Sequence, residues 1–415
     1  MIRRLLKWFA IVVGLFVLTG TAFSTGLFMG NANLLTPCIV PTSDQPTQFA
    51  TFWQAWNLVQ KDFVDRTALD PGQLTYGAIR GMVEALGDTG HSTFLTPQEK
   101  SESISNMSGS FTGIGAEMGL RNGLPVIVAP FDGGPAITAG IKAGDILMRI
   151  NGQDVTSLEL STIVQKVRGP TGTSVTLTVL RPADNKSYDF TLVRQTIDVP
   201  AARWVMIPGT QVALIRLSQF SQNAERDVIA ALQGAQKVGA KGLIVDVRND
   251  PGGLLDQAVK VTSQFLKDGN VLLEADAQDW RTAFPVQPGG QATTIPLVVL
   301  VNSSTASAAE IFAGAIQDHQ RGQVIGETTF GTGTVLEPFD LNDGSELLLG
   351  VRQWLTPNGR LIRKQGIKPD IEIKLPVGTE LLSPDTIKGL TLPQIMAGPD
   401  TQLQKALDLL GTHGK

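Results

Sequence analysis

The chain has 415 residues, of which 42% are hydrophobic and 17% charged, and its formal net charge at neutral pH is -4. This length exceeds the usual size of one domain and the apolar content suffices for buried cores, so we expect several folded units rather than a disordered protein. The slightly acidic balance argues against nucleic-acid binding, and one cysteine with three histidines argues against a disulfide or a zinc site, so no nucleic-acid partner, metal or cofactor is predicted.

The first 30 residues have the pattern of a membrane-inserted segment. Arg3, Arg4 and Lys7 precede residues 8–30, which contain no charged residue and are long enough to cross a bilayer. Positive residues before such a segment keep the N-terminus inside, so the remainder is expected on the outer face of a bacterial plasma membrane. A signal peptide that is cleaved to release a secreted protein is the alternative.

Two regions separate this predicted anchor (residues 1–30) from the first β-rich segment. Residues 31–48 are rich in Pro, Thr and polar side chains, which is typical of a linker. Within residues 49–105, apolar residues fall at helical spacing around residues 52–63 and 76–86. We therefore predict a small N-terminal helical region.

Residues 106–198 change to short alternating runs bounded by Gly, Asn or Pro, with one helix predicted over residues 158–167. The segments FTGIGAEM, GPAITAGIKAGDILMRINGQDV and VRGPTGTSVTLTVLR resemble a PDZ domain over nearly its full length. The resemblance implies that the backbone at Gly113, Ile114, Gly115 and Ala116 receives a peptide carboxylate, while the next strand offers a free edge. It thus implies apolar protein C-termini as partners.

Residues 199–375 alternate apolar strands with helices, which predicts an α/β core with a largely parallel, buried sheet. Asp246 and Arg248, at the end of one strand, are predicted to form an internal ion pair beside a glycine turn. The alternative is that the Asp246 carboxylate orients His91. Residues 376–415 are predicted to be a C-terminal tail with a short helix over residues 401–410.

Three motifs within the α/β core resemble peptidases of family S41, the C-terminal processing group. They are DVRNDPGGLL at 246–255, VLVNSSTASAAEIFAGAIQD at 299–318 and GETTFGTGTV at 326–335. The resemblance implies that Ser307 is the nucleophile and that Gly253, or alternatively Gly252, forms the oxyanion hole with Ala308. A serine at the start of a helix fits this role because the helix N-terminus favours developing negative charge. The alternative is that Ser307 only caps the helix.

Two positions depart from the family pattern. Thr332 stands where the family has its catalytic lysine, 25 residues after Ser307, and Leu336 stands where it has a glutamine. Threonine has no basic group, so the usual Ser–Lys dyad cannot form. His91 in LGDTGHSTFLTP is the substitute base that tricorn-like relatives suggest, and its ordinary pKa suits that role. A purely structural role for His91 is the alternative.

The sequence therefore predicts a multidomain, extracytoplasmic serine endopeptidase. Its PDZ domain would recognise apolar protein C-termini, and Ser307 would hydrolyse peptide bonds through an acyl-enzyme. A catalytically impaired pseudopeptidase that acts as an adaptor for C-terminal tails is the alternative, because two family residues are replaced. No oligomeric state is predicted.

Overall fold

The computed structural model describes residues 48–88, 91–121, 123–131 and 133–411. The predicted membrane segment, residues 8–30, lies outside this part of the chain. Across the described ranges, no helix combines the length and the apolar composition that a bilayer crossing requires.

Helices and strands are interspersed along the described chain, and residues 66–68 add one turn of 3-10 helix. The helices are α1 Gln48–Asp62, α2 Pro71–Glu84, α3 Pro97–Met107, α4 Pro135–Ala139, α5 Leu160–Val167, α6 Ala224–Lys237, α7 Leu255–Ser263, α8 Ala308–Asp318, α9 Pro384–Ile387, α10 Leu392–Met396 and α11 Thr401–Leu409. The strands are β1 Thr93–Leu95, β2 Ser110–Gly113, β3 Ala116–Arg121, β4 Leu124–Pro130, β5 Ile146–Ile150, β6 Gln153–Asp154, β7 Ser174–Arg181, β8 Lys186–Val193, β9 Gln195–Asp198, β10 Ala202–Met206, β11 Val212–Leu217, β12 Gly242–Asp246, β13 Asn270–Ala275, β14 Arg281–Pro285, β15 Leu297–Val301, β16 Gln323–Gly326, β17 Thr334–Asp340, β18 Glu346–Leu355 and β19 Ile371–Glu372.

The chain divides into two compact units, with the boundary between Leu74 and Thr75 inside α2. The first unit contains α1, and the second contains every strand. The region predicted to be helical, residues 49–105, also contains β1, which pairs with β18. A strand of three residues is too short to show an alternating pattern, which explains why it was not predicted.

The core of the second unit is a six-stranded sheet in the order β10-β11-β12-β15-β16-β19. All neighbours from β11 to β19 are parallel, and only β10 is antiparallel, which confirms the predicted sheet type. Every residue of β12 and β15 is buried because helices cover both faces. Helices α6 to α8 cover one face.

Helices α9 to α11 cover the other face of this sheet, through Ile387, Ile395 and Leu403 among others. The region predicted to be a tail with one short helix is therefore part of the core. The physical reason is that Leu214 and Ile244, on the face opposite α6 to α8, are fully buried and require an apolar cover.

A second, antiparallel sheet was not predicted from the sequence. Its order is β1-β18-β13-β14, and β17 also pairs with β18. Through β18 this sheet brings β1, which follows His91 in the chain, close to the beginning of β17 at Thr334. It thereby joins two distant chain segments beside the predicted site.

The PDZ-like region forms a third sheet in the order β3-β4-β5-β7-β8, while β2 pairs with β9. Its core contains Ile127, Leu147 and Leu177. Strand β3 lies at the edge of the sheet beside α5. Helix α4 was not predicted, because five residues are too few for a helical period to be recognised.

Candidate active site

Ser307 lies between β15 and α8 in an unusual backbone conformation, with φ 52° and ψ -117°. Two ordinary N-cap residues of this chain, Ser383 and Thr391, have extended backbones instead, with φ of -97° and -91°. A positive φ at a residue with a Cβ costs on the order of 1–3 kcal/mol and persists only where the surroundings impose it. Helix capping alone therefore does not account for the conformation of Ser307.

Glu310, in the first turn of α8, fixes this conformation. Its carboxylate is fully buried and accepts five hydrogen bonds of 2.5–3.0 Å. The donors are the backbone N–H groups of Ser307, Gly331 and Thr332 and the hydroxyls of Thr329 and Thr332. Ser307 and Glu310 form a capping box at the start of α8, although the Ser307 hydroxyl makes no cap hydrogen bond of normal geometry.

The glycine turn that follows β12 packs directly against Ser307. A Cβ added to Gly252 would lie 2.6 Å from the Ser307 Cβ and 2.8 Å from the Ala308 nitrogen, so only glycine permits this approach. The Gly252 N–H donates to the Asp250 carboxyl at 2.8 Å, which removes it as the alternative oxyanion donor. In the described part of the chain, the N–H groups of Gly253 and Ala308 donate to no other group.

Thr332 lies beside Ser307, as the retained spacing suggests. Its hydroxyl accepts a hydrogen bond from the Ser307 N–H at 2.8 Å and donates one to Glu310 at 2.7 Å. This hydroxyl therefore belongs to the network that holds the backbone and supplies no base. Leu336, at the other replaced position, is a half-buried residue of β17. Lys364 and Lys368, two basic residues further along the chain, are exposed.

The His91 side chain contacts β17, which is distant in the chain. Its Nδ1 contacts the hydroxyl of Thr334, which in turn lies 3.4 Å from the Asp88 carboxylate. Asp88 also accepts hydrogen bonds from Ser92 and pairs with Arg363 at 3.1 Å. No hydrogen bond joins His91 to Ser307 within the described ranges. The two are connected through residues 332–334, since Thr332 contacts Ser307 and Thr334 contacts His91.

The electrostatic environment favours a neutral His91. Burial lowers the pKa of this imidazole, the Asp88 carboxylate opposes that shift, and the Arg363 charge adds to it. Burial acts to raise the pKa of Asp88, but hydrogen bonds from Ser92 and the charge of Arg363 lower it below its usual range. A neutral imidazole beside an ionised carboxylate is the combination that a general base requires.

The predicted ion pair of Asp246 and Arg248 is present at 2.8 Å, and both side chains are fully buried. Arg248 also pairs with Asp400, the N-cap of α11, at 2.8 Å, and Arg216 pairs with Asp246 at 2.9 Å. The strand that leads to the glycine turn is thus tied to the C-terminal helix, a contact that the sequence did not reveal.

The predicted carboxylate-binding loop joins β2 to β3. The side chain of Ile114 is buried in the PDZ core, and the backbone oxygens of Ile114 and Gly115 accept hydrogen bonds from Ala136 and Phe131 at 2.8 Å. Gly115 has a φ of 70°, and an added Cβ would lie 3.1 Å from Gly134. Ala116 begins the edge strand. In the described ranges, the N–H groups of Ile114 and Gly115 donate to no other group.

Two cavities flank Arg168, the residue that follows α5. One of about 740 Å³ lies among α3, α5 and Thr112, and another of about 480 Å³ is lined by Phe111, Ser218 and Pro251. Arg168 lines both cavities, and its guanidinium lies 5.3 Å from the centre of the Phe111 ring. Since Pro251 precedes the glycine turn, the second cavity reaches from the PDZ region to the edge of the candidate site.

Sequence reasoning missed three residues that the structure places in this site. Glu310 was not assigned a role, although Ser-x-x-Glu before an apolar run is itself the signal of a capping box. Thr334 and Asp88 carry no local signal, because their contact depends on the pairing of β17 and β1 with β18.

Comparisons with known proteins match this chain to two families. Residues 211–373 match peptidase family S41, and residues 126–181 match the PDZ domain. The S41 match includes Ser307, Thr332 and both glycines of the turn. The PDZ match begins within β4, so it does not include residues 113–116.

The relatives that match are proteases of the C-terminal processing type. The carboxy-terminal processing protease CtpA of Bacillus subtilis is 34% identical over 375 residues, which cover 90% of this chain and 78% of that protein. The carboxyl-terminal-processing protease of Synechocystis sp. is 36% identical over 363 residues, which cover 86% and 81%. Among solved structures, the photosystem II D1 C-terminal processing protease is 30% identical, with 80% and 95% covered and a TM-score of 0.46.

Proposed function

Because this chain belongs to peptidase family S41 and carries a PDZ domain, we propose that it is a serine endopeptidase that processes proteins near their C-termini, with Ser307 as nucleophile. The observation that carries the proposal is the backbone of Ser307, held at positive φ by Glu310 and packed against Gly252. Ser383 and Thr391 cap their helices with extended backbones, so capping does not require the strained conformation of Ser307. A strained backbone of this kind is typical of catalytic positions.

In the proposed reaction, His91 Nε2 accepts the proton of the Ser307 hydroxyl as Ser307 Oγ attacks the carbonyl carbon of the scissile bond. The N–H groups of Gly253 and Ala308 stabilise the oxyanion. Imidazolium then donates its proton to the leaving amine, which breaks the C–N bond and leaves an ester on Ser307. Water, deprotonated by His91, hydrolyses this ester and regenerates the enzyme.

The contact between His91 and Thr334 supports this role. If the Thr334 hydroxyl donates to Asp88, it accepts a hydrogen from His91 Nδ1, which leaves the lone pair of the imidazole on Nε2. Asp88 would then stabilise the imidazolium through one hydroxyl. The absence of a Ser307–His91 hydrogen bond in the described residues is compatible with the proposal, since such bonds often tighten only when substrate binds.

The PDZ domain supports selection of substrates by their C-termini. An extended peptide adds to the free edge of β3 beside α5, and its carboxylate meets the N–H groups of Ile114 and Gly115. The cavity lined by Arg168 and Pro251 leads from this region towards the glycine turn. A bound tail would thereby raise the effective concentration of the scissile bond at Ser307.

A panel of peptides that differ only at the C-terminus tests this function. Peptides with an apolar last residue and a free carboxylate are expected to be cleaved, whereas amidated peptides or peptides that end in Asp are cleaved at least about tenfold more slowly at equal concentration. Equal cleavage of free and amidated peptides would contradict selection by the PDZ domain. No cleavage of any peptide would contradict peptidase activity.

The replacement of the family lysine and glutamine by Thr332 and Leu336 favours a second candidate, an adaptor that binds C-terminal tails without cleaving them. The two candidates differ in whether a bound peptide is cleaved and product is released. An adaptor binds the free-carboxylate peptides, with the same affinity in Ser307→Ala, and releases no product from any of them.

We also propose that residues 8–30 anchor the protein in the plasma membrane, with the peptidase outside. The charges at Arg3, Arg4 and Lys7 support this orientation. Retention of the full-length protein in carbonate-washed membranes, with digestion by external protease in spheroplasts, is the expected result. Release of a protein that lacks these residues would indicate a cleaved signal instead.

A further inference from the structure

A buried carboxyl group that the proposed mechanism does not use lies beside the oxyanion turn. Asp250 is fully buried, and its Oδ1 accepts the Gly252 N–H at 2.8 Å. Its Oδ2 is also buried and has no hydrogen-bond partner among the described residues. No Lys or Arg of the described chain lies within ion-pair distance of it, in contrast to Asp246, which pairs with both Arg216 and Arg248.

Asp250 connects the glycine turn to the segment that enters Ser307. Its side chain holds the Gly252 N–H, and its backbone oxygen accepts the Ala306 N–H at 2.9 Å. Ala306 immediately precedes Ser307, and Gly252 immediately precedes the proposed oxyanion donor Gly253. The residue therefore sets the position of the turn relative to the nucleophile.

The surroundings of Asp250 suit a neutral acid. The charged groups that act on it are Arg216 of β11 and Asp246 at the end of β12. Arg216 is already paired with Asp246. Burial raises the pKa of Asp250 well above its usual value, while the Gly252 hydrogen bond and the charge of Arg216 oppose this shift.

The buried carboxylate of Glu310, in the first turn of α8, provides a contrast to that of Asp250. The Glu310 carboxylate has five donors, whereas Asp250 has one for its two oxygens. A buried carboxylate with an unpartnered oxygen is costly, and protonation is the ordinary way in which proteins avoid that cost.

We propose that Asp250 is a positioning residue that acts as a neutral carboxylic acid, holds the glycine turn against Ser307, and limits activity at alkaline pH when it loses its proton. The consequence for catalysis rests on the proposed function, whereas the protonation state does not. Ionisation would place an anion on Oδ2 with no donor beside it, so the turn would have to open to admit water.

Two substitutions separate the roles of the charge and the hydrogen bond. Asp250→Asn keeps an oxygen for the Gly252 N–H and cannot ionise, whereas Asp250→Ala removes the acceptor. Asp268→Asn removes an exposed carboxylate from the loop between α7 and β13 and is the matched control. Unfolding temperature measured against pH reports on protonation without requiring any activity.

The raised pKa of Asp250 in the folded state determines how stability changes with pH. The folded protein holds the Asp250 proton more tightly than the unfolded chain, so this contribution to stability is complete below an unfolded pKa of about 3.9 and is lost as pH rises through the folded pKa. We expect the unfolding temperature of Asp250→Asn relative to the unsubstituted protein to rise with pH, and that of Asp268→Asn to stay level. If the difference in unfolding temperature for Asp250→Asn stayed level or fell as pH rises, the proposal that Asp250 is a neutral acid would be overturned.

If Asp250→Asn does not fold, infrared difference spectra between the unsubstituted protein and Asp250→Ala decide the protonation state. A neutral carboxyl band that persists at neutral pH and is missing in Asp250→Ala supports the proposal. Its absence from the unsubstituted protein contradicts it.

The positioning role is tested by the rate at which a fluorophosphonate labels Ser307 across pH. We expect Asp250→Asn to retain labelling at alkaline pH where the unsubstituted protein loses it, and Asp250→Ala to be about tenfold slower throughout, as for a lost hydrogen bond of about 1.4 kcal/mol. Identical pH profiles for the unsubstituted protein and Asp250→Asn would overturn the positioning role even if the acid is neutral. Absence of all labelling would instead refute the proposed function, while the unfolding data would still decide the protonation state.

Discussion

The two halves of the candidate site are built in different ways. On the nucleophile side, Ser307 is held by the Glu310 carboxylate and by close packing against Gly252, both of which act on the backbone. On the base side, the His91 imidazole contacts the hydroxyl of Thr334 from β17, which in turn contacts Asp88. Backbone constraints leave a recognisable motif in the sequence, whereas side-chain contacts between distant segments do not.

The difference indicates which half tolerates substitution. Thr332, at the position of the family lysine, donates its backbone N–H and its hydroxyl to Glu310 and so supports the backbone of the nucleophile side. Substitutions on both sides test whether the site functions without that lysine.

Ser307→Ala is expected to have the largest effect, because it removes the attacking oxygen. Turnover of tail peptides should fall by more than about a thousandfold. Ser304→Ala, at an exposed serine three residues earlier, is the matched control and should retain full activity. Similar losses in both variants would indicate a fold defect rather than loss of a nucleophile.

His91→Ala should lower turnover by roughly 10²–10⁴-fold, the usual contribution of a positioned general base. His319→Ala is the control, since His319 is also half-buried and donates a hydrogen bond from Nε2 to the Asn270 backbone oxygen but lies at the far end of α8. If the two histidine variants were equally active, the base would have to come from elsewhere.

Glu310→Gln should chiefly affect stability. The amide places two N–H donors where five donors already converge, so a loss of about 2–4 kcal/mol in the free energy of unfolding is expected. Denaturant unfolding measures it, with the exposed Glu337→Gln of β17 as control. An unchanged free energy of unfolding would show that the hydrogen bonds to the Glu310 carboxylate do not hold Ser307.

Thr332→Val tests the smallest contribution on the nucleophile side. It keeps the shape of the side chain and removes one hydrogen bond to Glu310 and one from Ser307, so we expect a loss of about 1–2 kcal/mol in unfolding free energy. Peptide turnover should change by less than about tenfold, because this residue is not the base. A loss as large as that of His91→Ala would make the Thr332 hydroxyl part of the reaction.

The titration of His91 gives the finest test of the base side. Its lowered pKa means that the folded protein binds this proton less tightly than the unfolded chain, so its contribution to stability is present above about pH 6.5 and is lost as pH falls. NMR titration of the imidazole should give a pKa below that value, with Thr334→Val changing it. An unshifted value would contradict the buried environment described here.

Much of the fold was predictable because it follows from local patterns. The uninterrupted apolar strands β12 and β15 predict a sheet that is buried on both faces, and the Gly252 turn and Ser307 lie at the ends of these strands. The antiparallel sheet and the C-terminal cover of the core were missed, because pairing between residues 93–95 and 346–348 leaves no periodic signal. The unpaired state of Asp250 was also missed, because it depends on which cationic side chains the neighbouring strands bring close to it.

Site-mapped labelling by a fluorophosphonate across pH tests most directly whether an active serine persists without the family lysine. We expect a single modification at Ser307, with a rate that rises with pH as an imidazole of lowered pKa loses its proton and falls again at alkaline pH as Asp250 ionises. This labelling should be largely lost in His91→Ala. Absence of modification at Ser307 at every pH, in a protein that still binds tail peptides, would contradict this prediction.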